Sequence, residues 1–173
     1  MSENIPKSRL KTGSDSYLRH VLGARKYVLY LAEKYNADKF ILEIAALLHD
    51  VGADAGEDHA NESAKISKKF LSEVDISNET KRRIIKCIER HSMGSKTDLI
   101  EEQILQDADG IIFIEDTFKF YFEKQKQKFP LEKAKKRSIE KTKEMNKKIK
   151  TEEGIKLSSK ILTKSLRYLD LAK

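Results

Sequence analysis

Cysteine, tryptophan, proline and glycine are scarce in this chain of 173 residues, which has one, none, two and seven of them. A single cysteine excludes an internal disulfide and a cysteine-rich zinc module. Cys87 lies among apolar residues in RRIIKCIERH, so we predict a buried, unreactive thiol. Few helix breakers, with abundant Lys, Glu, Leu and Ile, favour a mostly helical chain. The length is typical of one domain that needs no structural metal.

Long hydrophobic segments are also missing. No stretch approaches the ~20 apolar residues of a membrane span, and MSENIPKSRLKTGSDS has no apolar core of the kind that a signal peptide needs. We therefore expect a cytoplasmic protein with no membrane partner. We expect residues 1–16 to be disordered or loosely packed and residues 17–173 to form one domain.

Positive charge is concentrated in one part of the chain. The formal net charge is +7, but residues 119–150 contain thirteen Lys or Arg against four Glu, so the rest carries about −2. Lysine-rich helices with interspersed glutamate are common solvated faces, and that is our interpretation of this region. A nucleic-acid-binding module that uses residues 119–150 is the alternative. It is not favoured, because the aromatic side chains precede the densest charge instead of alternating with it.

Apolar residues recur at helical spacing along most of the chain. The pattern and its breakers predict helices over 17–35, 39–49, 58–71 and 79–91, a longer helix from 99 to 122, and two more after Phe129–Pro130, of which the last covers 156–171. The helix over 39–49 is apolar nearly all round, so we expect it to be the central, buried one. GIIFIEDTFKFYF could form a strand in isolation, but we place it in the helix from 99 to 122. The sequence thus predicts an all-α fold.

The four histidines all fall on the inward face or at an end of a predicted helix. One histidine in such a place is usually a satisfied core residue, but four of them, with the His49-Asp50 pair, indicate a site. That pair ends the apolar run Ile41–Leu48. A buried imidazole and carboxylate need a hydrogen bond, a salt bridge or a metal ion to offset the cost of burial.

The order of these residues resembles that of a known family. His20, then His49-Asp50 closing an apolar helix, then Asp109 in ILQDADGI, is similar to the ligand pattern of the HD superfamily of metal-dependent phosphohydrolases. The resemblance spans Tyr17 to Ile114. It implies an HD-domain helical bundle with a metal-site core over 17–114, followed by additional lysine-rich helices over 115–173. It also implies that these four residues bind one divalent ion, and such a nitrogen and oxygen set suits Mn²⁺, Fe²⁺, Ni²⁺ or Mg²⁺.

Two aspartates compete for the last ligand position. Asp107 and Asp109 lie on opposite borders of the apolar stripe of their helix, so periodicity does not decide between them. The family pattern favours Asp109 as the ligand, which leaves Asp107 to support the site or to cap a helix.

The resemblance further implies hydrolysis of a phosphomonoester or phosphoanhydride in a small phosphorylated substrate, nucleotide-like by default. Asp50 would also orient or deprotonate the attacking water. In relatives similar around HANESA and RHS, histidines such as His59 and His91 contact a phosphate or supply protons. Two-metal relatives, phosphodiesterases or oxygenases, use such histidines to bind a second ion, and this is the alternative. Many family members have Lys where this chain has Ala53, so no phosphate contact is carried over to that position.

Overall fold

The computed structural model describes residues 16–172, and they are mostly helical. The helices in chain order are α1 (Ser16–Tyr35), α2 (Lys39–Leu48), α3 (His59–Ser72), α4 (Asn78–Glu89), α5 (Ile100–Ile112), α6 (Phe118–Lys126), α7 (Leu131–Lys148) and α8 (Glu152–Leu171). A 3₁₀ turn (Ala53–Asp58) precedes α3, and a π-helical turn (Phe113–Thr117) joins α5 to α6. Residues 16–172 contain no strand, so the predicted all-α fold is confirmed. The expectation of a loose N-terminus falls on residues that lie outside this range, apart from residue 16.

Polar side chains fix the starts of several helices. Asp38 accepts a hydrogen bond from the amide of Ile41 at the start of α2, and Ser77 accepts one from Thr80 at the start of α4. An oxygen at this position satisfies an amide that has no partner within the helix. The bounds of α1 to α4 agree with those predicted to within two residues. The last helix begins four residues earlier than predicted, because Thr151 caps it.

The central helix is α5, and the expectation that α2 would be central is wrong. Helix α5 contacts α1, α2, α4, α7 and α8, and every residue from Ile104 to Ile112 is buried. Helix α2 buries one face, whereas Phe40 on it is 51% exposed. The sequence of α5 looks less apolar than that of α2, because α5 carries the buried aspartates whose partners are described below.

The segment GIIFIEDTFKFYF is helical, not a strand. It ends α5, forms the π-helical turn and begins α6. Phe118 and Phe122 of α6 lie fully buried in the core.

Cys87 in α4 is buried, as predicted. Burial, with the nearby Glu102 carboxylate, raises the pKa of its thiol to about 12. Across residues 16–172, none of the helices combines the length and the hydropathy needed to cross a bilayer.

Candidate metal centre

The six predicted site residues lie together where the ends of several helices meet. His20 lies in the second turn of α1, and the His49-Asp50 pair directly follows α2. The other three, from α3, the loop after α4, and α5, are His59, His91 and Asp109. Of the six, only His59 is more than 9% exposed. The fold therefore gathers at one place residues that span 90 positions of sequence.

Three of the four imidazoles are oriented by a backbone carbonyl three residues earlier. The Nδ1 atoms of His49, His59 and His91 lie 2.8, 2.9 and 2.7 Å from the carbonyl oxygens of Ala46, Gly56 and Ile88. A carbonyl oxygen can only accept, so each Nδ1 carries the proton and donates it. Each Nε2 is then left with a lone pair, which is the form in which histidine binds a metal.

A side chain orients the fourth imidazole. His20 Nδ1 lies 3.0 Å from the hydroxyl of Thr117, which the π-helical turn presents. This aims His20 Nε2 at the cluster, 3.1 Å from His49 Nε2, 3.2 Å from Asp109 Oδ1 and 3.5 Å from Asp50 Oδ2. π-Helical turns often occur at functional sites. Thr117 is a supporting residue that no sequence pattern indicated.

The spacing of these atoms fits a divalent cation. With metal–ligand distances of about 2.1 Å, two adjacent ligand atoms of an octahedral ion are about 3.0 Å apart and two opposite ones about 4.2 Å. His49 Nε2 lies 3.9 Å from Asp50 Oδ1 and 4.0 Å from Asp109 Oδ1, and the distances from His20 Nε2 are shorter. All lie within this range. His20, His49 and Asp50 form a set that could hold one ion, and Asp109 Oδ1 lies within 4.0 Å of both imidazoles of that set.

A second group of ligand atoms adjoins the first. His59 Nε2 and His91 Nε2 are 3.1 Å apart, and His91 Nε2 is 3.7 Å from Asp50 Oδ1. Because both Nδ1 atoms donate to carbonyls, the two facing lone pairs cannot hydrogen-bond to each other without a shared proton or cation. Asp50, His59 and His91 thus form a second set that could hold an ion, and Asp50 belongs to both sets.

The structure separates the two aspartates of α5. Asp109 lies in the cluster: its Oδ1 faces His20 and its Oδ2 accepts a hydrogen bond from the ammonium of Lys148. Asp107 points away and accepts from the amides of Lys150 and Thr151, at 2.9 and 2.8 Å. It therefore ties down the start of α8, which is one of the two roles considered for it.

Lys148 is a site residue that the sequence analysis missed. The interpretation of the lysine-rich region as a solvated face holds for Lys143 and Lys147, which are exposed, but it is wrong for Lys148, which is 4% exposed and ion-paired with Asp109. One signal could have revealed it. The buried face of α7 repeats every three or four residues and Lys148 continues the series Ala134, Ser138, Thr142, Met145.

Burial and neighbouring charges set the protonation of the cluster. Burial lowers the pKa of His49, although the Asp50 carboxylate opposes this. Burial, with His49 and Lys148 nearby, lowers the pKa of His91 to about 3. Burial alone would raise the pKa of Asp109, but Lys148 and His20 hold it well below its usual range. These two histidines are therefore neutral, and Asp109 is ionised, at neutral pH, as metal binding requires.

A cavity of about 350 Å³ opens onto the cluster. Its wall includes four site residues, His20, Asp50, His59 and Asp109. Aromatic side chains from the π-helical turn and α6 form another part, namely Phe113, Phe120 and Tyr121. Cations from α6 and α7 form a third, namely Lys124, Lys141 and Lys148. The cavity wall thus combines potential metal-ligand atoms, aromatic rings and positive charge.

Comparison with known proteins agrees with this arrangement. The chain resembles YpgQ from Bacillus subtilis at 24% identity and a TM-score of 0.71, over 87% of this chain and 83% of that one. It resembles an HD-superfamily hydrolase from Bacillus thuringiensis at 23% identity and a TM-score of 0.69, over 91% and 84%. At such identities the likeness shows the fold alone. No curated protein sequence matches significantly. The sequence model of the HD domain, however, matches residues 17–113, more than half of the chain, and the chain therefore belongs to the HD-domain family.

Proposed function

We propose that this protein is a metal-dependent phosphohydrolase that cleaves a phosphomonoester or a phosphoanhydride in a small, nucleotide-like substrate. The observation that carries the proposal is a set of metal-ligand atoms at the wall of a cavity that also presents three lysines. Lysine ammonium groups attract phosphate oxygens. The Bacillus thuringiensis neighbour, described as an HD-superfamily hydrolase, supports a hydrolytic reaction.

The chemistry divides between the ion and the protein. His20, His49, Asp50 and Asp109 would hold a divalent ion such as Mn²⁺, Fe²⁺, Ni²⁺ or Mg²⁺, which would supply an acidified water molecule and polarisation of a phosphoryl oxygen. Asp50 lines the cavity and can orient or deprotonate that water. The carbonyl partners and Thr117 keep the imidazoles aimed at the cluster.

The two remaining histidines suit different tasks. His59 lines the cavity and is partly exposed, so it is better placed to reach a bound substrate and is our candidate to protonate the leaving group. His91 is fully buried, and its pKa of about 3 keeps it neutral near pH 7. We therefore propose that His91 acts as an acceptor beside Asp50 in a one-metal enzyme and as a ligand only if a second ion is bound. His59 could also contact a phosphate group of the substrate.

The shape of the cavity supports a nucleotide-like substrate. Phe113, Phe120 and Tyr121 line the cavity, with the rings of Phe113 and Tyr121 inclined at 61° to each other, and a base could stack on one of these rings. Lys124 and Lys141 lie on the same cavity wall and could contact outer phosphates.

The test is a substrate panel assayed after removal and replacement of the metal. The protein is treated with a chelator and reloaded with Mn²⁺, Ni²⁺ or Mg²⁺, and released phosphate or pyrophosphate is measured for nucleotides and other phosphorylated metabolites. We expect turnover only with metal, and its loss in a folded His20→Ala variant. If no phosphate ester or anhydride in the panel is hydrolysed with any of the three metals, the proposal is wrong.

A two-metal enzyme, a phosphodiesterase or an oxygenase, is the second candidate. It is favoured by the facing lone pairs of His59 and His91 beside Asp50. Metal content separates the candidates. A one-metal hydrolase should contain about one ion per chain, and the His59→Ala and His91→Ala variants should keep that ion. Turnover in each variant should fall roughly 10²-fold, the effect of losing an acid or base. A two-metal enzyme should contain two ions and lose one in each variant.

A further inference from the structure

The ammonium of Lys148 is a buried positive charge in the wall of the cavity. It donates a hydrogen bond to Asp109 Oδ2 and lies among the residues that line the pocket, with His20 and Asp50. Lysine is rarely buried to this extent, because removing an ammonium from water is costly. Asp109 provides a counter-charge in the metal-free protein, but Asp109 also belongs to the predicted ligand set.

The backbone around Lys148 is fixed against α5. Asp107 accepts hydrogen bonds from the amides of Lys150 and Thr151, two and three residues after Lys148. One turn earlier in α7, the carbonyl oxygen of Met145 comes within 3.0 Å of the position that a Cβ atom on Gly110 would occupy. The close approach of α7 to α5 thus depends on a residue without a side chain. The packing of α7 against α5 therefore holds Lys148 in the cavity wall.

Binding of a divalent ion would change the charge balance around the ammonium of Lys148. Asp50 and Asp109 carry two negative charges, and imidazoles that bind a metal are neutral. A divalent ion in this set brings the sum to zero, and Asp109 no longer needs Lys148 as its counter-charge. The positive charge of Lys148 is then uncompensated, and buried charge is poorly screened by solvent and salt. An anion that enters the cavity would supply the missing negative charge.

We propose that Lys148 binds a phosphoryl oxygen of the substrate in the metal-loaded cavity. This inference rests on the proposed function, which makes the substrate a phosphate ester or anhydride. The other lysines of the cavity are less suited: Lys124 is exposed, and Lys141 is ion-paired with Glu144 at 3.0 Å. Ala53, which also lines the cavity, offers no charge. The lysine-rich helix thus has one buried lysine that serves the site and many that face solvent.

The test measures binding of inorganic phosphate to Mn²⁺-loaded protein by isothermal titration calorimetry. Lys148→Gln keeps a hydrogen-bond donor for Asp109 but removes the charge, and Lys148→Arg keeps the charge. Lys147→Gln is the matched control, because it removes the same charge from the adjacent, exposed position. We expect Lys148→Gln to raise the Kd for phosphate by about 10- to 100-fold, the range of one charge-assisted hydrogen bond. Lys148→Arg and Lys147→Gln should stay within about threefold of wild type.

A titration with Mn²⁺ alone separates anion binding from a purely positioning role. Removing a cation beside Asp109 should leave Mn²⁺ affinity unchanged or tighter, whereas loss of a necessary support for Asp109 should weaken it. Weaker Mn²⁺ binding with unchanged phosphate affinity in Lys148→Gln would overturn the inference. So would equal phosphate affinity in Lys148→Gln and wild type. The substrate panel tests the proposed function independently. If the panel shows turnover but Lys148→Gln leaves phosphate affinity unchanged, only the role of Lys148 is refuted.

Discussion

Replacing Asp107 by alanine should weaken the fold and spare metal binding, although Asp107 lies two residues from the predicted ligand Asp109. Its carboxylate accepts hydrogen bonds from the amides of Lys150 and Thr151 and from the Thr151 hydroxyl. Each bond to a charged acceptor contributes about 1.5–3 kcal/mol. Burial raises the pKa of Asp107, so relief of its desolvation offsets part of the loss. We expect the free energy of unfolding to fall by about 3–5 kcal/mol.

The assay is urea denaturation of metal-free protein, beside Mn²⁺ titration by calorimetry at a temperature where the variant is folded. A loss of this size lowers the melting temperature of a chain of this length by about 10 °C. Asp107→Ala should bind Mn²⁺ within a few-fold of wild type, whereas Asp109→Asn should lose about 100-fold or more, as expected for a direct ligand. A folded Asp107→Ala variant that has lost Mn²⁺ binding, or one with unchanged stability, would refute the assignment of the two aspartates.

Two further predictions follow from burial and close packing. His91 has a pKa of about 3 in the folded protein, whereas an unfolded histidine titrates near 6.5. Metal-free protein should therefore lose stability as the pH falls below about 6.5. The free energy of unfolding should fall by about 1.4 kcal/mol per pH unit for each such histidine. His91→Gln should reduce that slope by the same amount in urea denaturation, and an equal slope would contradict the reasoning. Gly52→Ala places a Cβ atom 2.5 Å from the backbone nitrogen of Ser63, so it should destabilise the protein by about 2 kcal/mol; a change within about 0.5 kcal/mol, typical of a surface position, would contradict this.

Local patterns predicted most of the fold. The starts of α2 and α4 could be read from the sequence because Asp38 and Ser77 form caps within a few residues of themselves. The gathering of the histidines could be expected from their places at helix ends, which adjoin each other in a bundle. Their roles as ligands remain predictions, because the structure shows only that their nitrogen atoms converge.

Packing between distant segments determined what the sequence did not reveal. Asp107 and Asp109 border the same apolar stripe, and only the positions of α7 and α8 decide which carboxylate meets a backbone amide and which meets an ammonium. Lys148 is 39 residues from Asp109, and although the periodicity of α7 places it on the buried face, nothing local indicates that its partner is Asp109. The centrality of α5 was hidden for the same reason, since its acidic residues look solvent-facing until their partners are known.

The π-helical turn between α5 and α6 makes the length of this segment as important as its composition. A π-helical turn contains about one residue more than an α-helical turn. If one residue between Phe113 and Thr117 were deleted, the two helices could run on as a single regular helix, and every later side chain would rotate by about 100° around the axis. Thr117 would turn away from His20, and the buried rings of Phe118 and Phe122 would turn out of the core. Substitutions here change one contact at a time, whereas a single deletion would disturb the histidine–aspartate cluster and the core together.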